Sequence, residues 1–253
     1  MLFDQSSPLA EYMEVYMKRE NNRKPDELRP LVIKAGVVPN ANGSAMVQLG
    51  KTIAIAAVYG PKEMFPKHKK IFNRASLETV YNMVPFSTTE RVRPGPSRRS
   101  REICKVTRDA LEPALFLEEY PKTEISVFID ILQADAGTRT AGINAASVAL
   151  ADAGIPMRDL VAAVAAGKID DEYVLDLDGK EEEVTKCDLP VAYMPKDKRI
   201  TLLQMDGDIS QKDVKEVIKL AIKGCETLYE KQKQALKEKW EQKNKEEKND
   251  NEK

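Results

Sequence analysis

The chain has 253 residues, 42% of them apolar and 32% charged, with a formal net charge of −1. That length supports a substantial core in one large or two small domains. The near-zero charge excludes global basicity as the means of holding nucleic acid, so any such contact must come from local clusters. The single histidine, His68, lies in the loop Pro66-Lys67-His68-Lys69-Lys70. Ser-His-Asp, Cys-His and His-based zinc chemistry would all have to run through that one loop residue. Chemistry is therefore expected from carboxylates, arginines and a divalent metal.

Cys104, Cys187 and Cys225 have no metal-ligand spacing and cannot all pair, which fits a reduced, cytoplasmic compartment. The stretch Met1 to Pro8 lacks the apolar core of a signal peptide, and no span is long enough to cross a membrane.

In chain order, residues 1–22 read as an irregular or helical extension. Pro25 and Pro30 then bracket a short segment that cannot continue a helix. Strand-like runs follow at Leu31 to Val38, Ser44 to Leu49 and Thr52 to Val58, with turn chemistry at Pro39-Asn40-Ala41-Asn42-Gly43. Gly50-Lys51-Thr52 invites a phosphate-loop reading. It fails, because no upstream glycine stands at the required spacing and the lysine opens a strand rather than a helix. From Gly60 to Arg74 runs a basic loop carrying Lys62, Lys67, Lys69, Lys70 and Arg74 against Glu63 alone. Leu77 to Val84 is a further strand candidate.

Arg91 to Arg101 is a Pro/Gly-stiffened loop with five arginines. It leads into a helix expected over about 101–119, kinked at Pro113. Glu124 to Ile131 alternates like a strand, and the Ala-rich run Ile143 to Ala153 reads as a helix. Strand candidates return at Leu160 to Ala166, Tyr173 to Leu177, Leu189 to Met194 and Arg199 to Met205. Ser210, with Asp213 three residues on, caps a long helix whose apolar stripe runs from Val214 to Tyr229. Lys, Glu and Asn dominate the end, where residues 241–253 read as a disordered tail. Strands and helices are partly segregated, which predicts an α+β class with mixed sheets and helices packed between or against them. The similar layout of the two halves, with a boundary near 155–160, hints at duplication.

Three stretches can carry chemistry. Gln133-Ala134-Asp135-Ala136-Gly137-Thr138-Arg139-Thr140-Ala141-Gly142 joins a strand to a helix through a tight glycine turn. Such a turn gathers backbone N–H groups and the positive helix end, a recipe for holding phosphate. Arg98 and Arg99 sit where the stiff loop meets a helix, and their forked guanidinium groups suit phosphodiester oxygens. Asp176 to Pro190 is acidic and reads as an exposed hairpin, except that Asp188 opens a half-buried strand. From there it could bind Mg²⁺ or protonate a leaving oxygen. No nucleophilic side chain is evident, and phosphate needs none, since it can itself attack a phosphodiester in line.

These residues resemble the ribonuclease PH family and, within it, the catalytic ring subunits of archaeal exosomes. The resemblance rests on the 133–142 turn, Asp152-Ala153-Gly154-Ile155-Pro156-Met157 and Cys187-Asp188-Leu189-Pro190. It also rests on Asp26-Glu27-Leu28-Arg29-Pro30, Asn42-Gly43-Ser44-Ala45, Ala57-Val58-Tyr59-Gly60-Pro61 and Pro96-Ser97-Arg98-Arg99, and it runs from about 23 to 240. It implies a duplicated β-β-α-β-α fold of the ribosomal-protein-S5-domain-2 type. It implies a hexameric ring, a trimer of heterodimers alternating with a related inactive subunit, threaded by RNA and capped by S1/KH-type RNA-binding proteins. The implied reaction is phosphorolysis of RNA from its 3′ end to nucleoside diphosphates, with Mg²⁺ or Mn²⁺ and inorganic phosphate as co-substrate, and its reversal as tailing.

By matching motif, Gly137, Thr138, Arg139 and Thr140 would hold phosphate, and Arg98 and Arg99 the RNA backbone. The Gly60–Arg74 loop, with Lys67, His68 and Lys69, would line the neck of the channel and touch RNA. Asp188 would be acid or metal ligand. The family's second aspartate, six residues earlier, is here Glu182, with Glu181 or Glu183 as substitutes by a one-residue shift. The usual Asp-Gly-Arg before the first strand is Asn21-Asn22-Arg23. The alternatives are a non-cutting, RNA-binding ring subunit, for which Glu182 argues, and a free-standing transfer-RNA-trimming ribonuclease PH.

Overall fold

The computed structural model of the chain describes Arg19 and residues 22–251, the last seven by backbone alone. The expected N-terminal extension otherwise lies outside the described residues. The first half forms β1 (Leu31–Ala35), β2 (Gly43–Leu49), β3 (Thr52–Glu63), β4 (Ser76–Met83), α1 (Arg98–Leu111), β5 (Thr123–Gln133) and α2 (Thr138–Asp152). The second forms β6 (Ala162–Ile169), β7 (Glu172–Leu175), α3 (Gly179–Val184), β8 (Cys187–Met194), β9 (Arg199–Leu203), β10 (Asp206–Gly207) and α4 (Gln211–Asn251). Each half makes a five-stranded sheet. The first is ordered β1-β2-β3-β5-β4, with β4 and β5 parallel and α1 as their crossover. In the second, β8 pairs with β6, β9 and β10, and β6 with β7, all antiparallel.

The helices lie between the sheets. α2 touches β2, β3 and β5 on one side and β6 and β8 on the other; α1 spans from β4 to β9, and α4 from β1 to β6, β7 and β8. This three-layer plan follows from the sequence of α2. Its run of Ala, Gly and Ser has no polar face and is buried from Thr140 to Leu150, as a helix covered on both sides must be. Small residues bring the layers close. A Cβ on Gly142 would sit 3.2 Å from Ile129 Cγ2, and one on Gly43 would strike the end of α2, 2.1 Å from the Ala153 nitrogen. The polar residues inside α2 are used: Asn144 exchanges hydrogen bonds with the Ala163 backbone (2.6 and 2.8 Å), and Ser147 Oγ accepts from Val161 N.

Several expectations are corrected. α1 does not run to 119 with a kink. It starts at Arg98 behind a Ser97/Ser100 capping box and stops at Leu111. Pro113 has no N–H to continue the ladder, so the chain tightens into the 3₁₀ turn Glu112–Ala114. The acidic stretch is not an exposed hairpin. Asp178 accepts from the Lys180 and Glu181 amides and Glu181 returns the bond to Asp178 N, a reciprocal cap that starts α3. β3 runs past Val58 to Glu63, with a register shift between Tyr59 and Lys62, so the basic loop is shorter than expected. The final helix, capped by Ser210 as expected, continues to Asn251 instead of giving way near 241. Lys, Glu and Gln favour the helix even where no core supports it.

Three of the carboxylates in that stretch meet arginines that are buried or nearly so. Arg29 forms a two-pronged pair with Asp176 (Nη2 to Oδ1 2.8 Å, Nε to Oδ2 3.1 Å), and its own amide also donates to Oδ2. Arg19 and Arg23 pair with Glu181, and Arg23 also with Asp178. Burial alone would lower the Arg29 pKa, but the Asp176 charge and hydrogen bonds outweigh it and hold the guanidinium ionised. Replacing Arg29 by Ala strands Asp176 at 1% side-chain exposure. Equilibrium urea unfolding of Arg29→Ala is expected to show a loss of about 3–5 kcal/mol.

Candidate active site

The turn before α2 is strained and heavily braced. Ala136 (φ 57°) and Gly137 (φ 61°) are consecutive left-handed residues, a conformation that turns successive amides toward one point. Thr52 Oγ, at the start of β3, accepts from Asp135 N (2.9 Å) and donates to the Ala136 carbonyl (2.7 Å). Arg29 donates to the Asp135 carbonyl, and Asp135 Oδ1 accepts from Gly179 N at the start of α3. Thr140 donates its hydroxyl to the Gly137 carbonyl, so it braces the turn. No side chain caps α2, whereas Ser97, Asp178 and Ser210 cap the other three helices. The first amides of α2 are left for an anion.

These residues open on a cavity of about 380 Å³. Gly137, Thr138, Arg139 and Thr140 form one wall, Arg99 and Glu102 of α1 a second, and Glu182, Asp188, Gln204, Met205 and Asp206 of the other half a third. Sequence reasoning named the first wall, Arg99, Glu182 and Asp188. It missed Glu102, which follows Arg99 at helical spacing, and Asp206, which stands opposite Asp188 in the β8–β10 pairing. A two-residue strand leaves no periodicity to read, and only its Asp-Gly dipeptide signals a turn. Gln204 carries no signal.

Glu182 is the α3 glutamate that faces the cavity. Glu181 is turned inward by its cap and arginine pairs, so it cannot stand in for Glu182, and Glu183 is absent from the cavity wall. Arg98 is exposed at the start of α1 and does not line the cavity. Lys67, His68 and Lys69 form an exposed 3₁₀ turn beyond the far end of β3. The twelve-residue strand separates them from the turn at its other end. Within one chain they are not part of this site.

Two buried atoms of the cavity have no hydrogen-bond partner: Arg139 Nε, a donor, and Asp188 Oδ1, an acceptor. The first asks for an anion and the second for a proton or a cation. Burial, then the charge of Glu182, push the Asp188 carboxyl up from 3.8 to about 6; Arg139 pulls the other way and Asp206 adds to the rise. Hard carboxylate oxygens left short of partners fit Mg²⁺ or Mn²⁺. Among the described residues no group of three or more His, Cys, Asp or Glu is preassembled to hold a metal. An ion held here would take one or two protein carboxylates and complete its shell with water and substrate phosphate.

An uncapped helix start carrying an arginine with a buried Nε faces carboxylates across one cavity in an α+β fold. The chain belongs to the 3′ exoribonuclease family, RNase PH: residues 27–156 match the family's first domain and 159–224 its second. It is 60% identical over 223 residues to the exosome complex component Rrp41 of Pyrococcus furiosus, covering 88% of this chain and 89% of that one. The Methanopyrus kandleri protein of the same name is 57% identical over 222 residues, covering 88% and 93%. Among solved structures, rice Rrp46 superposes with a TM-score of 0.79 at 27% identity, covering 87% of this chain and all of that one. The Archaeoglobus fulgidus exosome with RNA bound to the active site gives 0.76 at 25% identity, covering 87% and 96%. No helix among the described residues is long and apolar enough to cross a membrane.

The raised Asp188 pKa has a consequence for stability. Well below 3.8 the carboxyl is protonated folded and unfolded, and contributes no penalty. Well above 6 it is ionised in both, and the folded state bears the full cost. Asp188→Asn is therefore expected to differ from the parent by less than about 1 kcal/mol at pH 4 in metal-free buffer and to gain on the order of 1–3 kcal/mol at pH 8, read from paired denaturant titrations.

Proposed function

We propose that this chain is the catalytic subunit of an archaeal-type exosome ring and shortens RNA from its 3′ end by phosphorolysis. The observation that carries this reading is the pair of unpartnered atoms, Arg139 Nε and Asp188 Oδ1, on opposite walls of one cavity. The names of the relatives support the ring, and the orientation of Glu182 into the cavity supports an active rather than a merely structural subunit.

In this reading the first amides of α2 and the Arg139 guanidinium hold inorganic phosphate. Arg99 grips the last phosphodiester of the RNA and turns its phosphorus toward that anion. A phosphate oxygen attacks the phosphorus in line, the bond to the 3′ oxygen breaks, and that oxygen leaves with the electron pair. Asp188, whose carboxyl is pushed up to about 6 by burial and by Glu182, can supply the proton it needs when no cation is bound. With a divalent cation Asp188 would instead be ionised and, with Glu182, would hold that ion, which would supply charge neutralisation at the phosphates, the leaving oxygen then taking its proton from water. The products are a nucleoside 5′-diphosphate and RNA one residue shorter; run backwards, the same steps add 3′ tails. Lys67, His68 and Lys69 would meet RNA farther from the scissile bond, at the neck of the ring. The related inactive ring subunit and S1/KH-type cap proteins complete the proposed assembly.

The assembled complex is expected to convert RNA, Mg²⁺ and ³²P-phosphate into nucleoside diphosphates labelled in the β-phosphate, with no nucleotide release when phosphate is left out. Arg139→Ala should lower that rate at least about a hundredfold while the ring elutes unchanged. Monophosphates as products, or full activity in Arg139→Ala, would overturn the reading.

A further inference from the structure

Arg139 does not stand alone in the cavity wall. Its Nη1 donates to Gln204 Oε1, and its Nη2 donates to Glu102 Oε1 at 3.2 Å. Gln204 Nε2 donates to that same Glu102 oxygen, also at 3.2 Å. The three side chains close a triangle whose corners come from three places: Glu102 from α1, Arg139 from α2, and Gln204 from the segment after β9. The two terminal nitrogens of the guanidinium are thereby engaged by protein acceptors. Nε, buried and without a partner, is the one nitrogen of the three that no protein acceptor engages.

We propose that Glu102 and Gln204 are positioning residues for phosphate. They hold the far end of Arg139 so that its Nε side, rather than its tip, is offered to the anion. A guanidinium binds an oxyanion through two parallel N–H groups, from either its tip or its Nε side. Here the tip faces the Glu102–Gln204 pair, and the Nε–H together with the second Nη2 proton remains for a phosphate oxygen pair. Without the triangle, the long Arg139 side chain must be ordered by phosphate itself, which weakens binding. The Glu102 charge is not what the role requires, since either acceptor atom of a carboxylate or an amide can close the triangle. Its negative charge opposes the incoming phosphate, so Gln at 102 keeps the geometry and removes a repulsion.

This inference rests on the phosphate role of Arg139. The test is steady-state phosphorolysis by the assembled complex with phosphate and RNA varied separately. Glu102→Ala and Gln204→Ala are each expected to raise the phosphate KM roughly tenfold, with kcat at saturating phosphate and the RNA KM within about twofold of the parent. The double variant should be little worse than either single, because both act through one guanidinium. Glu102→Gln should restore the parental phosphate KM or lower it. A phosphate KM unchanged or lowered in both alanine variants overturns the proposal, as does a rise in Glu102→Gln equal to that of Glu102→Ala. If Arg139→Ala is inactive while the alanine variants behave as the parent, the positioning role fails and the phosphate site stands. If Arg139→Ala is fully active, the phosphate site itself has failed.

Discussion

The buried pairing of Arg29 with Asp176 ties together parts of the chain that share no local sequence logic. Arg29 precedes the first strand, Asp176 follows β7 in the second half, and the remaining guanidinium nitrogen reaches the Asp135 carbonyl in the turn that opens α2. An ion pair at 3% and 1% side-chain exposure forfeits much hydration, and such pairs hold only when nearly every donor and acceptor is matched. Here the matching is close to complete, and it braces two of the cavity's three walls. One is the turn that opens α2. The other begins at Asp178, whose cap starts α3 and points Glu182 into the cavity while Glu181 turns back to Arg19 and Arg23.

Bracing of this kind explains how an uncapped helix start can persist. Two left-handed residues, one of them an alanine, raise the local energy of the turn, and surrounding structure must over-determine them. Thr52, Arg29, Asp135 and Thr140 do so with hydrogen bonds that leave the α2 amides unclaimed. The helix behind the turn cannot shift to relieve the strain, since it is packed between two sheets at glycine-close range. Rigidity is thus carried from the core to the site. The unpartnered Arg139 Nε and Asp188 Oδ1 are the polar atoms that this rigidity holds in place across the cavity.

Much of the fold was legible in sequence, because the strands alternate and the long helices keep their stripe. The errors share a cause. The acidic run 176–188 reads as solvated surface when charge is taken residue by residue, yet three of its carboxylates are buried against arginines more than a hundred residues away. Pro113 ended a helix that apolar spacing alone would have carried on. Residues 241–251 continue α4 because propensity prevailed over the polarity that suggests disorder.

For the site, the order of residues from Gln133 to Gly142 determined a strand, a turn with positive φ and a helix start, since only local sterics and hydrogen bonding are involved. It likewise marked Arg99 and Asp188 as candidates by their positions at the ends of elements. Tertiary structure alone decided that Glu182, and neither of its neighbours, faces the cavity. It alone brought Asp206 opposite Asp188 and closed Glu102 and Gln204 around Arg139. Those choices depend on which way a helix is rotated and which strands pair. Rotation and pairing are set by burial and long-range ion pairs, which leave no mark on neighbouring residues in the chain.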